Sequence, residues 1–192
     1  MHTEYEVRIL EIDVEKIKEK LKELHASFEW DNVQKRYVYD FIPKQDKKWI
    51  RLRTNGDKTT LTIKNIVSSN IDGTHELEIT VDSFERCNLI LKELGYTDKG
   101  YQENRRIQYI LNGVEVDIDY WPMIPTYLEI EGPSEEAVYN AVSALGFEKS
   151  DCVTKNVEEI YSDYGYDLEN IKELKLEEER KWQYMKNYNG ED

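Results

Sequence analysis

Cysteine, histidine and long apolar runs are all scarce in this chain. Its two cysteines, Cys87 and Cys152, form no Cys-x-x-Cys pair and have no histidine at metal-ligand spacing, which argues against a structural zinc site. The three histidines are isolated and are expected at the surface or the terminus: His2, His25 and His75. No stretch approaches the roughly 20 apolar residues of a membrane span, and the sequence does not begin with a basic segment followed by an apolar run. We therefore expect a cytoplasmic protein with reduced thiols.

Positive charge is also in the minority. The chain has 26 lysines and arginines against 40 aspartates and glutamates, which gives a formal charge of -14. Phosphate repulsion then disfavours binding to nucleic acid and to anionic membranes. Because only 39% of the residues are hydrophobic and 34% are charged, the charges lie either on a heavily solvated surface or inside the fold. A length of 192 residues suits one domain with a tail.

Helical periodicity is confined to a few segments. Apolar residues recur at helical spacing over residues 13–26, from 82 or 83 to 95, and over 134–146, and the last two segments end at Gly95 and Gly146. Beyond residue 151, the spacing predicts a short helix over 156–164 and a charged amphipathic helix over 167–188. The sequence thus predicts three inserted helices and a C-terminal helical tail.

Between the helices, apolar and polar residues alternate with the period of a β-strand. Eight segments show this alternation: residues 3–10, 33–42, 49–54, 59–66, 74–81, 105–111, 114–120 and 126–131. Asn55-Gly56 and Asn112-Gly113 lie where two-residue hairpin turns would join neighbouring strands antiparallel. We therefore predict an α+β fold built on an eight-stranded, mostly meandering antiparallel sheet.

The polar positions of these strands are mainly ionic and carry both signs. Arg51 and Arg53 alternate with apolar residues in one strand, and Glu129 and Glu131 do so in another. This pattern also fits the solvated face of an ordinary antiparallel sheet. However, an eight-stranded sheet tends to close on itself, and the amphipathic helices need an apolar surface to cover. We therefore expect a closed barrel with its apolar face outside, under the helices, and its ionic face inside.

A charged interior is tolerable only when opposite charges compensate each other. The predicted interior holds six cations and seven anions. They are Arg8, Arg51, Arg53, Lys64, Arg106 and Lys155 against Glu4, Glu6, Glu76, Glu78, Asp119, Glu129 and Glu131. Clustered arginines bind phosphate oxygens through forked hydrogen bonds, and clustered carboxylates suit Mg²⁺ or Mn²⁺. The interior is therefore predicted to hold a metal-polyphosphate complex, and the alternative is a permanent lattice of internal salt bridges.

Seven short motifs follow one another between residues 3 and 165. They are Glu4-Tyr5-Glu6-Val7-Arg8, Trp49-Ile50-Arg51-Leu52-Arg53, Leu61-Thr62-Ile63-Lys64, Glu76-Leu77-Glu78, Arg105-Arg106, Val116-Asp117-Ile118-Asp119 and Leu128-Glu129-Ile130-Glu131. Each motif is weak alone, but in this order they resemble the CYTH superfamily, the triphosphate tunnel enzymes that include class IV adenylate cyclases and thiamine-triphosphatase-like hydrolases. The resemblance implies a triphosphate tunnel domain over residues 1–165, in which a closed eight-stranded barrel carries helices on its outside, and a C-terminal helical extension over 166–192.

The chain departs from the family pattern at three places. Arg8 stands at the position of the signature lysine, which keeps the positive charge but removes an amine that could titrate. The turn Trp121-Pro122-Met123-Ile124-Pro125 replaces a glycine-containing turn before the last Glu-x-Glu strand, so one mouth of the tunnel is expected to differ in shape. Arg36 stands where the family tends to carry an acid, which adds a basic residue near the site.

The resemblance also implies roles for individual side chains. The phosphate chain would be bound by basic residues: Arg8, Arg36, Arg51, Arg53, Lys64, Arg106 and Lys155. The metal, Mg²⁺ or Mn²⁺, would be held by carboxylates: Glu4, Glu6, Asp119, Glu129 and Glu131, with Glu76 and Glu78 either joining them or orienting the arginines. The residues expected to take part in catalysis are Glu4, Glu6, Arg8, Lys64 and Lys155. Arg106 is preferred to Arg105 because strand alternation puts Arg105 on the apolar face.

The activity implied by the resemblance is metal-dependent hydrolysis of inorganic, nucleoside or thiamine triphosphate. Two alternatives stay open. The first is a class IV adenylate cyclase that converts ATP to cyclic AMP and pyrophosphate, which the similarity of residues 154–161 to proteins labelled as such cyclases favours. The second is a noncatalytic sensor of polyphosphate or nucleotides. The expected partner is a small triphosphate, and a homodimer through the aromatic residues of the C-terminal segment is a further expectation.

Overall fold

The computed structural model of the chain describes residues 1–176, and this part contains nine strands and four α-helices. In chain order they are β1 (His2–Ile9), α1 (Val14–Glu23), β2 (Ser27–Asp40), β3 (Lys48–Thr54), β4 (Thr59–Ile66), β5 (Thr74–Val81), α2 (Phe84–Glu93), β6 (Asp98–Leu111), β7 (Val114–Tyr120), β8 (Tyr127–Gly132), α3 (Glu135–Ala144), α4 (Val157–Asp163) and β9 (Glu173–Leu174). Two short 3-10 turns lie at Lys149–Asp151 and Leu168–Asn170. None of these helices is long and apolar enough to cross a membrane.

Eight of the strands close into an antiparallel barrel. Their order around the barrel is β2-β3-β4-β5-β1-β8-β7-β6, and β6 pairs back onto β2 along most of the length of both strands. The ninth strand, β9, adds to β6 in parallel, with Glu173 opposite Tyr101. The α+β fold with a closed eight-stranded antiparallel barrel, predicted from the sequence, is confirmed.

One of the two predicted hairpin turns has the expected form. Asn112 and Gly113 join β6 to β7 with φ angles of 52° and 81°, which is the left-handed conformation that a two-residue turn needs. The other prediction is wrong in length, because β3 ends at Thr54 and β4 begins only at Thr59. There the side chain of Asn55 accepts hydrogen bonds from the backbone of Asp57 and Lys58 and closes a longer loop.

The apolar face of the barrel points outward, as predicted. Helices α1 and α3 bury their apolar sides against β1, β6, β7 and β8 in a cluster that contains Leu21, Val138 and the fully buried Ile118. Helix α2 packs against β2 and β3 through Phe84 and Leu91. The ionic residues of alternate strand positions therefore face the interior. Not every outward position is covered, because β5 leaves apolar side chains half exposed.

The segment after α4 differs from its prediction. Over residues 167–176 the structure has a 3-10 turn and the short strand β9 in place of the predicted amphipathic helix, whose remaining residues lie outside the described part of the chain. Leu168 and Leu174 bury their side chains in a cluster with Trp121 and Tyr161 at one end of the barrel. Tertiary packing and pairing with β6 thus outweigh the helical spacing of the apolar residues.

Candidate active site

The register of the strands brings ionic residues from distant parts of the chain together inside the barrel. Glu6 and Arg8 of β1 lie opposite Glu131 and Glu129 of β8. Asp117 of β7 lies opposite Glu129 on the other side of β8. Because every second residue of a strand faces the same side, the inward carboxylates of β1, β7 and β8 meet in the interior.

Three of these carboxylates form a cluster that could hold a metal ion. One oxygen from each of Glu6, Glu129 and Glu131 lies within 4.8 Å of the others. Burial, together with the charges of Glu4, Glu6 and Glu129, raises the pKa of Glu131 to about 8. The neighbouring carboxylates pair with lysine or arginine, but within residues 1–176 Glu131 forms no such ion pair. A hard divalent cation would supply the missing positive charge, so this set of carboxylate oxygens fits Mg²⁺ or Mn²⁺.

Glu129 differs from Glu131 because it is fully paired. Arg8 donates from Nε to Oε2 of Glu129 at 2.8 Å, and Arg106 donates from Nη2 to Oε1 at 2.8 Å. Burial would raise the pKa of Glu129, but Arg106 and Arg8 outweigh burial and hold that pKa well below its usual range. The cluster thus contains one carboxylate that stays ionised and one that lacks a compensating cation.

Arg8 is occupied by the protein itself. Besides its bond to Glu129, it donates from Nη2 to Glu6 at 3.0 Å and from Nη1 to the backbone carbonyl of Lys155 at 2.9 Å. All three nitrogens of the guanidinium therefore donate to protein oxygens. In this structure Arg8 holds two of the clustered carboxylates together, and its contact with phosphate stays a prediction.

Arg106 is bound by three carboxylates. It donates from Nη1 to Asp117 at 2.5 Å, from Nη2 to Asp119 at 2.6 Å and from the same nitrogen to Glu129 at 2.8 Å. Asp119 also accepts a hydrogen bond from Asn104 Nδ2 at 3.0 Å. Asp119, expected as a metal ligand, is thus engaged in orienting Arg106 in this structure.

Lys64 and Arg51 form a second ionic group on the opposite wall. The ammonium of Lys64 pairs with Glu4 at 3.1 Å and with Glu76. A terminal nitrogen of Arg51 lies 3.6 Å from Glu76 and 3.7 Å from Glu78. Glu76 and Glu78 thus contact the cations of this group, and their role as metal ligands or as residues that orient the arginines stays a prediction.

Two arginines of the barrel interior lack a carboxylate partner within residues 1–176. Arg36 is 7% exposed, and its Nη2 donates only to the amide oxygens of Gln34 and Asn104. Arg53 lies directly opposite Arg36 in the β2–β3 register. Burial and the neighbouring guanidinium groups, Arg51 among them, lower the pKa of Arg36 and of Arg53 to about 9. Both positive charges would be stabilised by a bound anion.

The ionic interior opens into two compartments, one of about 870 Å³ and one of about 320 Å³. We call them the wide and the narrow compartment. The wall that they share consists of ionic residues: Arg51, Arg53, Lys64, Arg106 and Glu129. The wide compartment is also lined by Arg36 and Trp121, and the narrow one by Glu4 and Glu131. The shared wall therefore contains Arg53, which has no carboxylate partner within residues 1–176, and Glu129 of the carboxylate cluster.

Two basic residues from the sequence motifs direct their charge elsewhere. Lys155 lines the wide compartment, but its ammonium lies 2.6 and 2.8 Å from the carboxylate oxygens of Asp163, and its backbone carbonyl accepts from Arg8. Arg105 pairs with Asp31, while Arg106 lines both compartments, which is the orientation that strand alternation predicts.

Four residues of the site were given no role from the sequence: Asn104, Trp121, Tyr127 and Asp117, of which Asp117 was expected on the ionic face of its strand. The strand parity of Asn104, Asp117 and Tyr127 matches that of the expected site residues, so stricter use of alternation could have identified them. Trp121 lies in the turn between β7 and β8, where no periodic signal exists.

The family model for the CYTH domain matches residues 2–155 of the chain. No curated protein sequence matches it. Among solved structures, the PH1012 protein from Pyrococcus horikoshii OT3 is 26% identical with a TM-score of 0.69, and the alignment covers 80% of this chain and 96% of that one. A Vibrio parahaemolyticus protein, described as a candidate adenylate cyclase, is 13% identical with a TM-score of 0.72 and coverages of 84% and 98%. A proposed adenylyl cyclase from Hippeastrum, described as having a dominant triphosphatase activity, is 15% identical with a TM-score of 0.57 and coverages of 86% and 96%.

Proposed function

The chain belongs to the CYTH domain family, and on that basis we propose that it is a divalent-metal-dependent phosphohydrolase acting on triphosphate-containing substrates. Inorganic, nucleoside and thiamine triphosphates form this substrate class. One observation carries the proposal. Two adjoining compartments contain arginines that have no carboxylate partner in the described part of the chain, Arg36 and Arg53, and a carboxylate that has no cation partner there, Glu131.

A permanent lattice of salt bridges does not explain this pattern. It accounts for Arg8, Lys64 and Arg106, each of which contacts two or three carboxylates. Such a lattice does not account for Arg36 and Arg53, which lie opposite each other on β2 and β3 and repel each other. A metal-triphosphate complex places anionic oxygens beside these arginines and a cation beside the carboxylates, so it compensates both groups at once.

The arginines of the shared wall bind and orient the substrate. Arg51 and Arg53 approach the phosphate chain from the wall between the compartments, and Arg36 approaches it from the wide compartment. Their forked guanidinium groups match the geometry of phosphate oxygens and hold the chain in one register. Positioning and charge stabilisation of this kind supply most of the catalysis in phosphoryl transfer.

The carboxylate cluster is the proposed metal site. Glu6, Glu129 and Glu131 would hold Mg²⁺ or Mn²⁺, which when bound neutralises phosphate charge and lowers the pKa of a coordinated water. Arg8 and Arg106 keep Glu129 ionised and fix its orientation. Water would attack the terminal phosphorus and give its proton to an interior carboxylate. The bond from that phosphorus to the bridging oxygen would break, so that orthophosphate and the shortened phosphate chain are released.

Cyclisation of ATP is the second candidate, and the size of the wide compartment favours it. A volume of about 870 Å³ leaves room beyond the shared wall for an organic group. In a cyclase, the same arginines would present the α-phosphorus to the ribose 3′-hydroxyl. The product would then be pyrophosphate with cyclic AMP rather than orthophosphate.

Product analysis separates these candidates. The purified protein is incubated with inorganic triphosphate, ATP or thiamine triphosphate, with Mg²⁺ or Mn²⁺, and the products are identified by phosphorus NMR. Hydrolysis is expected, with orthophosphate released together with the substrate shortened by one phosphate. Cyclic AMP with pyrophosphate from ATP, and no orthophosphate, would replace hydrolysis by cyclisation. Glu131→Gln should abolish turnover, whereas the matched control Glu15→Gln, on the exposed side of α1, should not. Tight binding of triphosphate without turnover with either metal would contradict both reactions and identify a sensor.

A further inference from the structure

Arg36 has unusual surroundings for a buried arginine. Its guanidinium carbon lies 4.5 Å from the centre of the Trp121 ring, and its Nη2 donates to the neutral side chains of Gln34 and Asn104. Its Nε has no hydrogen-bond partner among residues 1–176. The positive charge is therefore fixed by an aromatic face and two amides, none of which neutralises it.

The indole of Trp121, against which Arg36 packs, is held in place by its neighbours. Trp121 is 2% exposed, and its ring meets Tyr161 edge to face at a centroid distance of 6.0 Å. The hydroxyl of Tyr161 donates to the carbonyl of Pro122 at 2.6 Å, which ties the turn between β7 and β8 to α4. Because Leu168 packs into the same cluster, the indole cannot move without disturbing α4 and the segment that follows it.

Unpartnered donors collect on this side of the site. Arg36 Nε, Trp121 Nε1 and the hydroxyl of Tyr127 are buried without a hydrogen-bond partner in the described structure, and all three residues line the wide compartment. A buried donor without an acceptor is costly. Phosphate oxygens are acceptors that carry charge, so a phosphate in this compartment would satisfy donors that the protein leaves unmatched.

We propose that Arg36, positioned by Trp121, binds the phosphate of the substrate that lies in the wide compartment, and that this contact favours a terminal phosphate over an esterified one. A terminal phosphate can carry two negative charges. An esterified phosphate inside the chain, such as the α-phosphate of ATP, is bonded to two neighbours and carries one. The doubly charged group gains more from Arg36, which adds to Arg51, Arg53 and Arg106 without a carboxylate of its own. The preferred substrates are then inorganic triphosphate and longer phosphate chains. This inference rests on the proposed function and assigns Trp121 a positioning role.

Binding and kinetics of four proteins test the subsite: wild type, Arg36→Gln, Trp121→Phe and the double variant. Titration calorimetry with inorganic triphosphate in EDTA measures anion binding, and steady-state assays with triphosphate and with ATP separate KM from kcat. Arg36→Gln should weaken triphosphate binding and raise its KM by about 10-fold to 100-fold, with a smaller rise for ATP. Trp121→Phe keeps an aromatic ring in the packed turn, so the protein should fold, and it should raise the KM for triphosphate by a smaller factor with little change in kcat.

The double variant shows whether Trp121 acts through Arg36. If it does, the double variant binds triphosphate no more weakly than Arg36→Gln alone. A double variant whose loss of affinity equals the product of the two single losses would overturn the positioning role. A matched control, Phe28→Leu on an exposed outer position of β2, should leave both constants unchanged. If the wild type hydrolyses triphosphate and Arg36→Gln has the same KM, the proposed subsite is overturned while the proposed function stands. Wild type that neither binds nor hydrolyses triphosphate would overturn the proposed function and the subsite with it.

Discussion

Replacing Arg106 by glutamine should destabilise the barrel far more than the same replacement at Arg53. Arg106 donates to three buried carboxylates, those of Asp117, Asp119 and Glu129. Arg53 has no carboxylate at ion-pair distance within the described residues and faces Arg36. Removing Arg106 therefore leaves buried negative charges uncompensated, whereas removing Arg53 relieves a repulsion.

The expected loss follows from breaking a buried ion pair on one side. Such a change costs about 3–5 kcal/mol of unfolding free energy. Burial already raises the pKa of Asp117 to about 7, although Arg106 lowers it, so protonation of Asp117 in the variant should keep the loss near the lower end of that range. For a chain of this size, the melting temperature should fall by roughly 6–20 °C. Arg53→Gln should change the unfolding free energy by less than about 1 kcal/mol.

The unfolding free energies of the two variants and the wild type are measured by urea denaturation followed by circular dichroism. The slope of the unfolding free energy against urea concentration should be the same in all three proteins, so that a shift in the unfolding midpoint reports stability alone. The wild type is measured without added metal or phosphate, because a ligand would stabilise it by mass action. Equal losses in the two variants, or a stable Arg106→Gln protein, would refute the assignment of Arg106 as the structural cation of the site.

Three further outcomes are expected. Arg53→Gln should lower kcat/KM for triphosphate hydrolysis by about 10-fold to 100-fold, because one charge-assisted contact to phosphate is lost, and phosphate release at the wild-type rate would exclude Arg53 from the site. Glu131→Gln should weaken the binding of Mn²⁺ alone by about 10-fold or more in calorimetry, and an unchanged affinity would place the metal elsewhere. Lys155→Met should leave kcat/KM within about threefold of the wild type because Asp163 already pairs with the ammonium, and a loss as large as that of Arg53→Gln would show that this ammonium reaches the substrate.

Most strands and their inward faces could be predicted because the alternation of apolar and ionic residues is local. The segments 59–66, 74–81 and 114–120 match β4, β5 and β7 residue for residue. The early parts of β2 and β6 were missed, since β2 begins at Ser27 and β6 at Asp98. Residues 98–104 are mainly polar, and they form a strand because they pair with β2 at long range, which local periodicity does not reveal.

The sequence indicates which charged residues form the site, but not which cation pairs with which carboxylate. Arg8 and Glu129 are 121 positions apart and meet only because β1 and β8 are neighbours in the closed barrel. Strand order is set by closure and by the helices outside. A count of charges therefore predicts that the interior is compensated, without showing which cation is held by which carboxylate.

The motif Trp49-Ile50-Arg51-Leu52-Arg53 illustrates this limit. Its two arginines lie on the same face of β3, yet Arg51 lies within 3.7 Å of Glu76 and Glu78, whereas Arg53 lies opposite Arg36. Neighbouring strands, rather than the motif, decide that one positive charge is balanced by the fold and the other is not. A charge that the fold leaves unbalanced costs stability unless a ligand compensates it. For this reason the unpaired Arg53, more than the paired Arg51, identifies the wall where the phosphate chain should bind.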